Sequence, residues 1–251
     1  MLIIKCIPLI KHFLRVMFYY KINFIFTFGV PLFSIIYTMR SKIFQQPQPL
    51  PTMEMILFWT GYMIVLYGLL GSGPAIVMLR EDQFLKQFVF ISGNRWAVIA
   101  AKYSSQLMVL LVSTWVLDIV CSVFFSLPFI TLLWITFAMI FICELPIYAL
   151  FLLFVALNVR QETIQPIMNI LIFFFIALTW NDFSGIATVD HIITIINPID
   201  YASQVGRALL SRIFPNVTFS PPSVMVLATC IYLLVGFYSL KRMKILPIFR
   251  N

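Results

Sequence analysis

Two carboxylates stand inside long apolar stretches of the sequence and have the clearest potential for chemistry. Asp118 lies in TWVLDIVC and Glu144 lies in FICELPIY. An isolated acid at the centre of a membrane is unfavourable by about 2.5 to 3.5 kcal/mol on insertion scales, so each is expected to face protein or a water-filled cavity. Three roles are consistent with the pattern. The acids can contact a cationic part of a substrate, they can form a gating pair, or each can be a structural acid that is protonated or hydrogen-bonded. Glu144 can also satisfy backbone groups freed by Pro146.

The sequence lacks the catalytic motifs of common membrane enzymes. It contains no HExxH, no aspartate-rich diphosphate motif and no nucleophile elbow. Its two histidines, His12 and His191, are predicted on opposite sides of the membrane, which disfavours a histidine dyad or a metal site. It also contains no GxxxxGK[ST] phosphate loop, so ATP-driven work would need an ATPase on another polypeptide. We therefore expect a chain that is not an enzyme and has no cofactor or metal of its own.

A charged stretch, LREDQFLKQFVFISGNRW, interrupts the apolar sequence at residues 79 to 96. Wound as a helix, EDQFLKQFVF has Glu81 and Asp82 at its amino end, where acidic side chains suit the helix dipole. One face of this helix is apolar and consists of Phe84, Leu85, Phe88 and Val89. Ser92-Gly93-Asn94 is predicted to end the helix. The apolar face can rest on lipid or bind another protein.

The composition predicts an all-α integral membrane protein. The chain is 62% hydrophobic and 10% charged, with a mean hydropathy of +1.01, whereas soluble domains carry roughly a quarter charged residues. Crossing about 30 Å of hydrocarbon takes about 20 apolar helical residues, and the apolar runs are too long and uniform for barrel strands. Six transmembrane helices are predicted in a single domain, residues 1 to 251: 22–39, 55–79, 104–127, 129–157, 164–180 and 223–240.

The distribution of Lys and Arg predicts the orientation. Thirteen lie on one side of the predicted spans: Lys5, Lys11, Arg15, Lys21, Arg80, Lys86, Arg95, Lys102, Arg160, Lys241, Arg242, Lys244 and Arg250. Four lie on the other side: Arg40, Lys42, Arg207 and Arg212. The positive-inside rule makes the first side cytoplasmic, with both termini on it. No basic run interleaved with aromatics suggests nucleic-acid binding.

Three segments outside or between the spans have patterns of their own. Residues 2–20 predict an amphipathic interfacial helix, with an ordinary basic flank of the first span as the alternative. GSGP at 71–74 predicts a kink. Together with further glycines in the second span, it also predicts a face on which another helix packs closely, and that helix can belong to the second chain of a dimer. Residues 181–222 predict short helices at the outer leaflet, separated at Asn197-Pro198.

The order of these elements resembles the permease subunits of type-2 ATP-binding-cassette exporters over nearly the full length. The matching residues are Arg80-Glu81 with Phe84-Leu85-Lys86, and Asn197-Pro198 with Tyr201 and Arg207. The chain departs from that family at Gln83, where glycine is frequent, and at Asn94-Arg95, where a small residue or proline is common.

The resemblance implies partners and roles. It makes the stretch after the second span a cytoplasmic coupling helix that docks on a separate P-loop ATPase, present in two copies that bind ATP and Mg²⁺. The residues implied in this coupling are Arg80, Glu81, Asp82, Phe84, Leu85, Lys86 and Phe88. Candidates for the substrate path or its gate are Asp118, Glu144, Asn197, Tyr201 and Arg207. A second permease chain, identical or related, is also implied.

The expected function is export from the bacterial plasma membrane. A path rich in Phe, Met and Ile with few charges favours a hydrophobic or amphipathic cargo, such as antimicrobial, cytolytic or phenol-soluble-modulin-like peptides. A drug or lipid-like cargo is the first alternative. A second alternative is an ATP-independent membrane protein, either a carrier that uses Asp118 and Glu144 or a structural scaffold.

Overall fold

The computed structural model describes residues 2–19, 25–43, 49–157, 161–180 and 187–244, and none of these residues lies in a strand. The helices are α1 (Leu2–Tyr19), α2 (Ile25–Thr38), α3 (Pro49–Gly71), α4 (Gly73–Glu81), α5 (Phe84–Ser92), α6 (Arg95–Phe125), α7 (Phe129–Phe151), α8 (Leu153–Ala156), α9 (Gln161–Trp180), α10 (Ala187–Ile196), α11 (Pro198–Leu210) and α12 (Pro222–Lys241). The prediction of an all-α fold is confirmed.

Within the described residues, five helical segments are long and apolar enough to cross a membrane, so the chain is a helical, multi-pass membrane protein. They are Pro49–Glu81, Arg95–Phe125, Phe129–Ala156, Glu162–Thr179 and Pro222–Lys241, and they correspond to the second to sixth predicted spans. The first predicted span, 22–39, overlaps α2, which is shorter than a span in its described part. Residues 22–24 lie outside the described residues.

A π-helical turn, Ile25–Gly29, opens α2 just before Pro31. Proline has no backbone N–H, so it cannot donate the hydrogen bond that would continue a regular α-helix through this point. Thr27 in this turn is buried, and its hydroxyl donates to the Tyr67 hydroxyl of α3 over 3.3 Å. The turn therefore fixes α2 against α3.

α3 lies at the centre of the bundle because small residues let other helices approach it. A Cβ at Gly61 would be 3.3 Å from Ala202 of α11, and one at Gly68 would be 3.0 Å from Ile147 of α7. A Cβ at Gly71 would overlap the side-chain amide of Gln106 in α6. The predicted packing face is confirmed, but these glycines face helices of the same chain and not a dimer seam.

The predicted kink at GSGP is present. α3 ends at Gly71, Ser72 leaves the helical region with φ −96° and ψ −119°, and α4 begins at Gly73. The predicted tight hairpin after the third span is present as well, since α6 ends at Phe125 and α7 begins at Phe129. Ser126 makes this turn in the left-handed region, with φ 51°.

The short helices gather at two opposite ends of the bundle. At one end, here the α5 end, α1 packs on the start of α6 through buried Cys6, Leu9 and Phe13, and leaves Lys11 and Arg15 exposed. The predicted amphipathic helix is therefore present as α1. At the other end, the α10–α11 end, α10 and α11 form the two short helices predicted between the last two spans, and Asn197 separates them.

Replacing Gly73 with alanine should destabilise the fold. The new Cβ would overlap the Phe151 carbonyl oxygen and lie 2.9 Å from the Phe154 Cβ, and backbone cannot move aside cheaply. Overpacking of this kind costs about 1 to 3 kcal/mol, so the thermal unfolding midpoint in detergent should fall. Gly29→Ala is the matched control, because its nearest atom would be the Ile25 Cγ2 at 3.7 Å. Equal midpoints for the two variants would contradict the close α4–α7 contact.

Candidate functional site

The charged stretch forms a shorter helix than the sequence predicted. Glu81 is the last residue of α4, Asp82 caps that helix, and α5 begins only at Phe84. Gln83 makes the reversal between them in the left-handed region, with φ 63°. The prediction of one helix from Glu81 to Phe90 is therefore wrong, and the two acids lie at the carboxyl end of α4, not at the amino end of α5.

α5 has two apolar faces, of which only one is exposed. Its inner face contacts the chain itself: Leu85 is fully buried, and the ring of Phe88 packs edge-on against that of Phe13, 5.6 Å away. The predicted docking face is thus largely covered by α1 and α6, and Phe84 is its one exposed member. The outer face consists of Phe84, Gln87, Phe90 and Ile91, with Phe90 88% exposed and Ile91 71% exposed.

Arg80 and Glu81 form an internal anchor. Arg80 is 1% exposed, its Nε donates to the Glu81 Oε1 over 2.8 Å, and its Nη1 donates to the Val155 carbonyl of α8 over 3.4 Å. Removing one partner of a buried ion pair leaves an uncompensated charge, which is strongly destabilising. These two residues therefore tie α4 to α8, while Asp82 and Lys86 remain exposed.

The two carboxylates within the spans are fully buried and lie apart from each other. The Asp118 Oδ2 accepts a hydrogen bond from the Thr136 hydroxyl of α7 over 2.7 Å. Both carboxylate oxygens of Glu144 are buried with no hydrogen-bond partner among the described residues, so the proposed interaction with backbone near Pro146 is not made. Thr136 and Glu144 are eight positions apart on α7, about 12 Å along the helix, so the two acids do not contact each other.

Asn197 and Tyr201 hold helices together. The Asn197 Oδ1 caps α11 by accepting from the Ile199 N–H over 3.0 Å, and its Nδ2 donates to the Phe175 carbonyl of α9 over 2.9 Å. Tyr201 is fully buried, and its hydroxyl pairs with that of Thr229 in α12 at 2.8 Å. Both predicted path residues thus fix α11 against its neighbours.

A cavity of about 1020 Å³ opens at the α10–α11 end, and Arg207 is the one predicted path residue that lines it. Its walls come from α2, α3, α9, α10, α11 and the segment 218–221. The charged side chains of its described lining are Glu54, Asp190, Asp200 and Arg207. Its aromatic side chains are Phe33, Tyr37, Phe58, Trp59 and Phe219.

Asp200 is the centre of a polar network in this cavity. Its Oδ2 accepts from the Thr194 hydroxyl of α10 over 2.6 Å, and its Oδ1 accepts from the Gln204 Nε2 over 3.5 Å. Burial raises the pKa of the Asp200 carboxyl, and the negative charge of Asp190 adds to this, whereas the two hydrogen bonds and Arg207 lower it. The carboxylate thus lies in a site with too little positive charge to offset its burial.

One sequence signal could have indicated part of this cavity. Asp200, Ser203, Gln204 and Arg207 are spaced i, i+3, i+4 and i+7 and form a polar stripe along α11. Glu54 and Asp190 have no such signal, because they lie far apart in sequence and reach the cavity only through helix packing. The two histidines lie at opposite ends of the bundle, with His12 beside Phe88 and His191 in the cavity lining.

Replacing Gln83 with glycine should stabilise the chain. A non-glycine residue in the left-handed region costs about 1 to 2 kcal/mol, which exceeds the extra conformational entropy of glycine in the unfolded chain, so the net gain is about 0.5 to 1 kcal/mol. Gln87→Gly, on the exposed side of α5, should instead destabilise by about 1 kcal/mol. Thermal unfolding of both variants in detergent measures the difference, and a loss of stability in Gln83→Gly would contradict the turn described here.

Comparison of the chain with protein-family models, with curated proteins and with solved structures finds no match.

Proposed function

We propose that the chain is the membrane-spanning subunit of an ATP-driven exporter of the type-2 ATP-binding-cassette kind, in a bacterial plasma membrane. A separate P-loop ATPase, in two copies, binds ATP and Mg²⁺, and a second permease chain, identical or related, completes the membrane domain. The observation that carries the proposal is the outer face of α5, which leaves Phe90 and Ile91 exposed at one end of the bundle.

The connections of α5 suit a helix that transmits movement. Two residues, Asp82 and Gln83, join it to α4, and Gly93 and Asn94 join it to α6. Because such short connections cannot stretch, a displacement of α5 moves both long helices. Apolar Phe84, Phe90 and Ile91 flank polar Gln87 on the outer face, a mixed surface that favours a protein groove over lipid.

The proposed topology has six spans, with residues 22–39 as the first, and both termini in the cytoplasm. The side-chain charges of the described residues support it. Lys11, Arg15, Lys86 and Arg95 lie at the α5 end, which the positive-inside rule makes cytoplasmic. Carboxylates prevail in the cavity lining at the other end, which is then external.

The proposed mechanism begins with ATP-driven closure of the ATPase dimer against α5. The movement passes through the Arg80–Glu81 anchor to α4 and α8, and from there to α3 and α7. α1 packs on α5 and α6 and moves with them. The two permease chains then tilt against each other and change access to a path between them.

The proposed cargo is hydrophobic or amphipathic, with antimicrobial, cytolytic or phenol-soluble-modulin-like peptides preferred to drugs or lipids. α9 exposes Ile170, Phe173 and Phe174 along one side, and such a surface suits lipid, a second permease chain or an apolar cargo. Charged cargo without an apolar part would find few partners there.

Introducing charge on the outer face of α5 should abolish association with the ATPase. Phe90→Asp combined with Ile91→Asp places two carboxylates in the proposed interface, and a loss of about 2 kcal/mol per buried contact, roughly thirtyfold in affinity for each, predicts that almost no ATPase stays bound. The measurement is ATP hydrolysis that co-purifies with the tagged chain from native membranes, normalised to the amount of chain.

Ile213→Asp is the matched control, because Ile213 is an exposed apolar residue at the opposite end of the bundle. It should retain full co-purifying ATP hydrolysis. Retention of that activity in the Phe90/Ile91 variant, with folding intact by gel filtration, would exclude the outer face of α5 as the docking surface.

A proton-coupled carrier is the second candidate, and buried, unpartnered Glu144 is the observation that favours it. Glu144→Gln keeps the shape of the side chain but cannot carry a proton. For an ATP-driven exporter we expect the variant to transport at the wild-type rate, measured by cargo efflux at constant expression, and Asp118→Asn to behave likewise. Loss of efflux in both variants, without co-purifying ATPase activity, would favour the carrier.

A further inference from the structure

We propose that the cavity at the α10–α11 end is a binding site for an amphipathic organic cation, a molecule with a positive charge, an apolar body and a hydrogen-bond acceptor. The inference goes beyond the proposed function, because it concerns binding by this chain alone, without ATP or an ATPase. It stands on three separate features of the cavity: its charge, its aromatic wall and its unpartnered donors.

The charge of the cavity favours a cation. Among the described residues that line it, three carry a carboxyl group, Glu54, Asp190 and Asp200, and one carries a guanidinium group, Arg207. These acids come from three helices, so the fold brings them together although the sequence does not. Burial raises the pKa of the Asp200 carboxyl, and a ligand cation within about 4 to 6 Å would favour its charged form.

Aromatic side chains in the same cavity lining suit an apolar cation. Phe33 and Tyr37 of α2 are stacked, with ring centroids 6.1 Å apart, and both are more than half exposed. Arg40 places its guanidinium 5.3 Å from the Tyr37 centroid, the same kind of cation–π contact that a ligand cation would make with an aromatic ring. Aromatic faces and carboxylates together recognise a cation that carries hydrophobic groups.

Three buried nitrogen atoms in the cavity lining have no hydrogen-bond partner among the described residues: the Nε1 of Trp59, the Nε of Arg207 and the Nδ1 of His191. The first two are donors, and Trp59 is 4% exposed. The rings of Phe58 and Tyr62, each 5.3 Å from that of Trp59, hold the indole in place. Burying a donor without a partner is costly, so an acceptor oxygen on the ligand would complete the site.

The size of the cavity fits one such ligand. Its volume of about 1020 Å³ is slightly above the upper limit of the range of about 300 to 1,000 Å³ that is usual for small-molecule sites. A drug-sized molecule therefore fits with its apolar body against the aromatic side chains and its charge toward the carboxylates of α3, α10 and α11.

The first test compares two ions of the same size and shape and opposite charge. Tetraphenylphosphonium and tetraphenylborate are each titrated against the purified full chain in detergent by equilibrium dialysis. We expect saturable binding of the cation and binding of the anion weaker by about tenfold or more. Equal or tighter binding of the anion would overturn the proposal, because the donors of Arg207 and Trp59 would then define an anion site.

The second test removes the charge from two carboxylates. The side chains of Glu54 and Asp190 make no hydrogen bond to the described residues, so Glu54→Gln and Asp190→Asn should fold normally. Each should weaken tetraphenylphosphonium binding about fivefold. Glu162→Gln, at an exposed carboxylate on the distant start of α9, should bind as the wild type does. Unchanged binding in both cavity variants would also overturn the proposal.

The third test addresses the acceptor. Rhodamine 6G is a cation with an ester carbonyl, whereas tetraphenylphosphonium has no acceptor. Trp59→Phe should weaken rhodamine 6G about fivefold, the equivalent of one hydrogen bond, and leave tetraphenylphosphonium nearly unchanged. If Trp59→Phe weakened the binding of both ions equally, the proposed hydrogen bond between Trp59 and an acceptor on the ligand would be wrong.

These binding results are independent of ATPase association. The Phe90/Ile91 variant should bind tetraphenylphosphonium as the wild type does, even if it loses ATPase activity, so failure of one proposal leaves the other open to its own measurement. A simultaneous loss of cation binding in that variant would overturn the assignment of the site to the cavity at the opposite end.

Discussion

The close approach of neighbouring helices to α3 is the contact on which the rest of the structure depends. Glycines on α3 bring α6, α7 and α11 near its backbone, where larger side chains would hold them apart. Helices in lipid gain little from the hydrophobic effect when they associate, so tight van der Waals packing between small residues supplies much of the attraction. Because α4 continues from α3 and α11 packs on it, the position of α3 also determines where the helices at both ends of the bundle lie.

The break at Ser72 connects this packing to the α5 end. It lets α4 leave the axis of α3 and pack against the junction of α7 and α8, where Arg80 donates to the Val155 carbonyl. A regular helix through residues 49–81 would have no such freedom. α5 is consequently supported through its covered inner face, and its outer face is open.

The α10–α11 end is positioned by direct packing on α3. α11 packs closely on α3, and Asn197 and Tyr201 attach it to α9 and α12. The polar stripe of α11 then becomes part of the cavity lining. The two ends thus differ in chemistry: exposed apolar side chains prevail on α5, and carboxylates with aromatic rings prevail in the cavity.

The sequence alone determined the helical class, five of the long apolar helices, the kink at GSGP, the hairpin at Leu127-Pro128 and the division at Asn197-Pro198. These features depend on local properties, namely apolar length and the backbone restrictions of glycine and proline. Only the tertiary structure decided that α5 begins at Phe84, that Leu85 and Phe88 face inward, and that Arg80 is an anchor. It alone also brought Glu54, Trp59 and Asp190 to one cavity, because contacts between residues far apart in the chain leave no periodic pattern in the sequence.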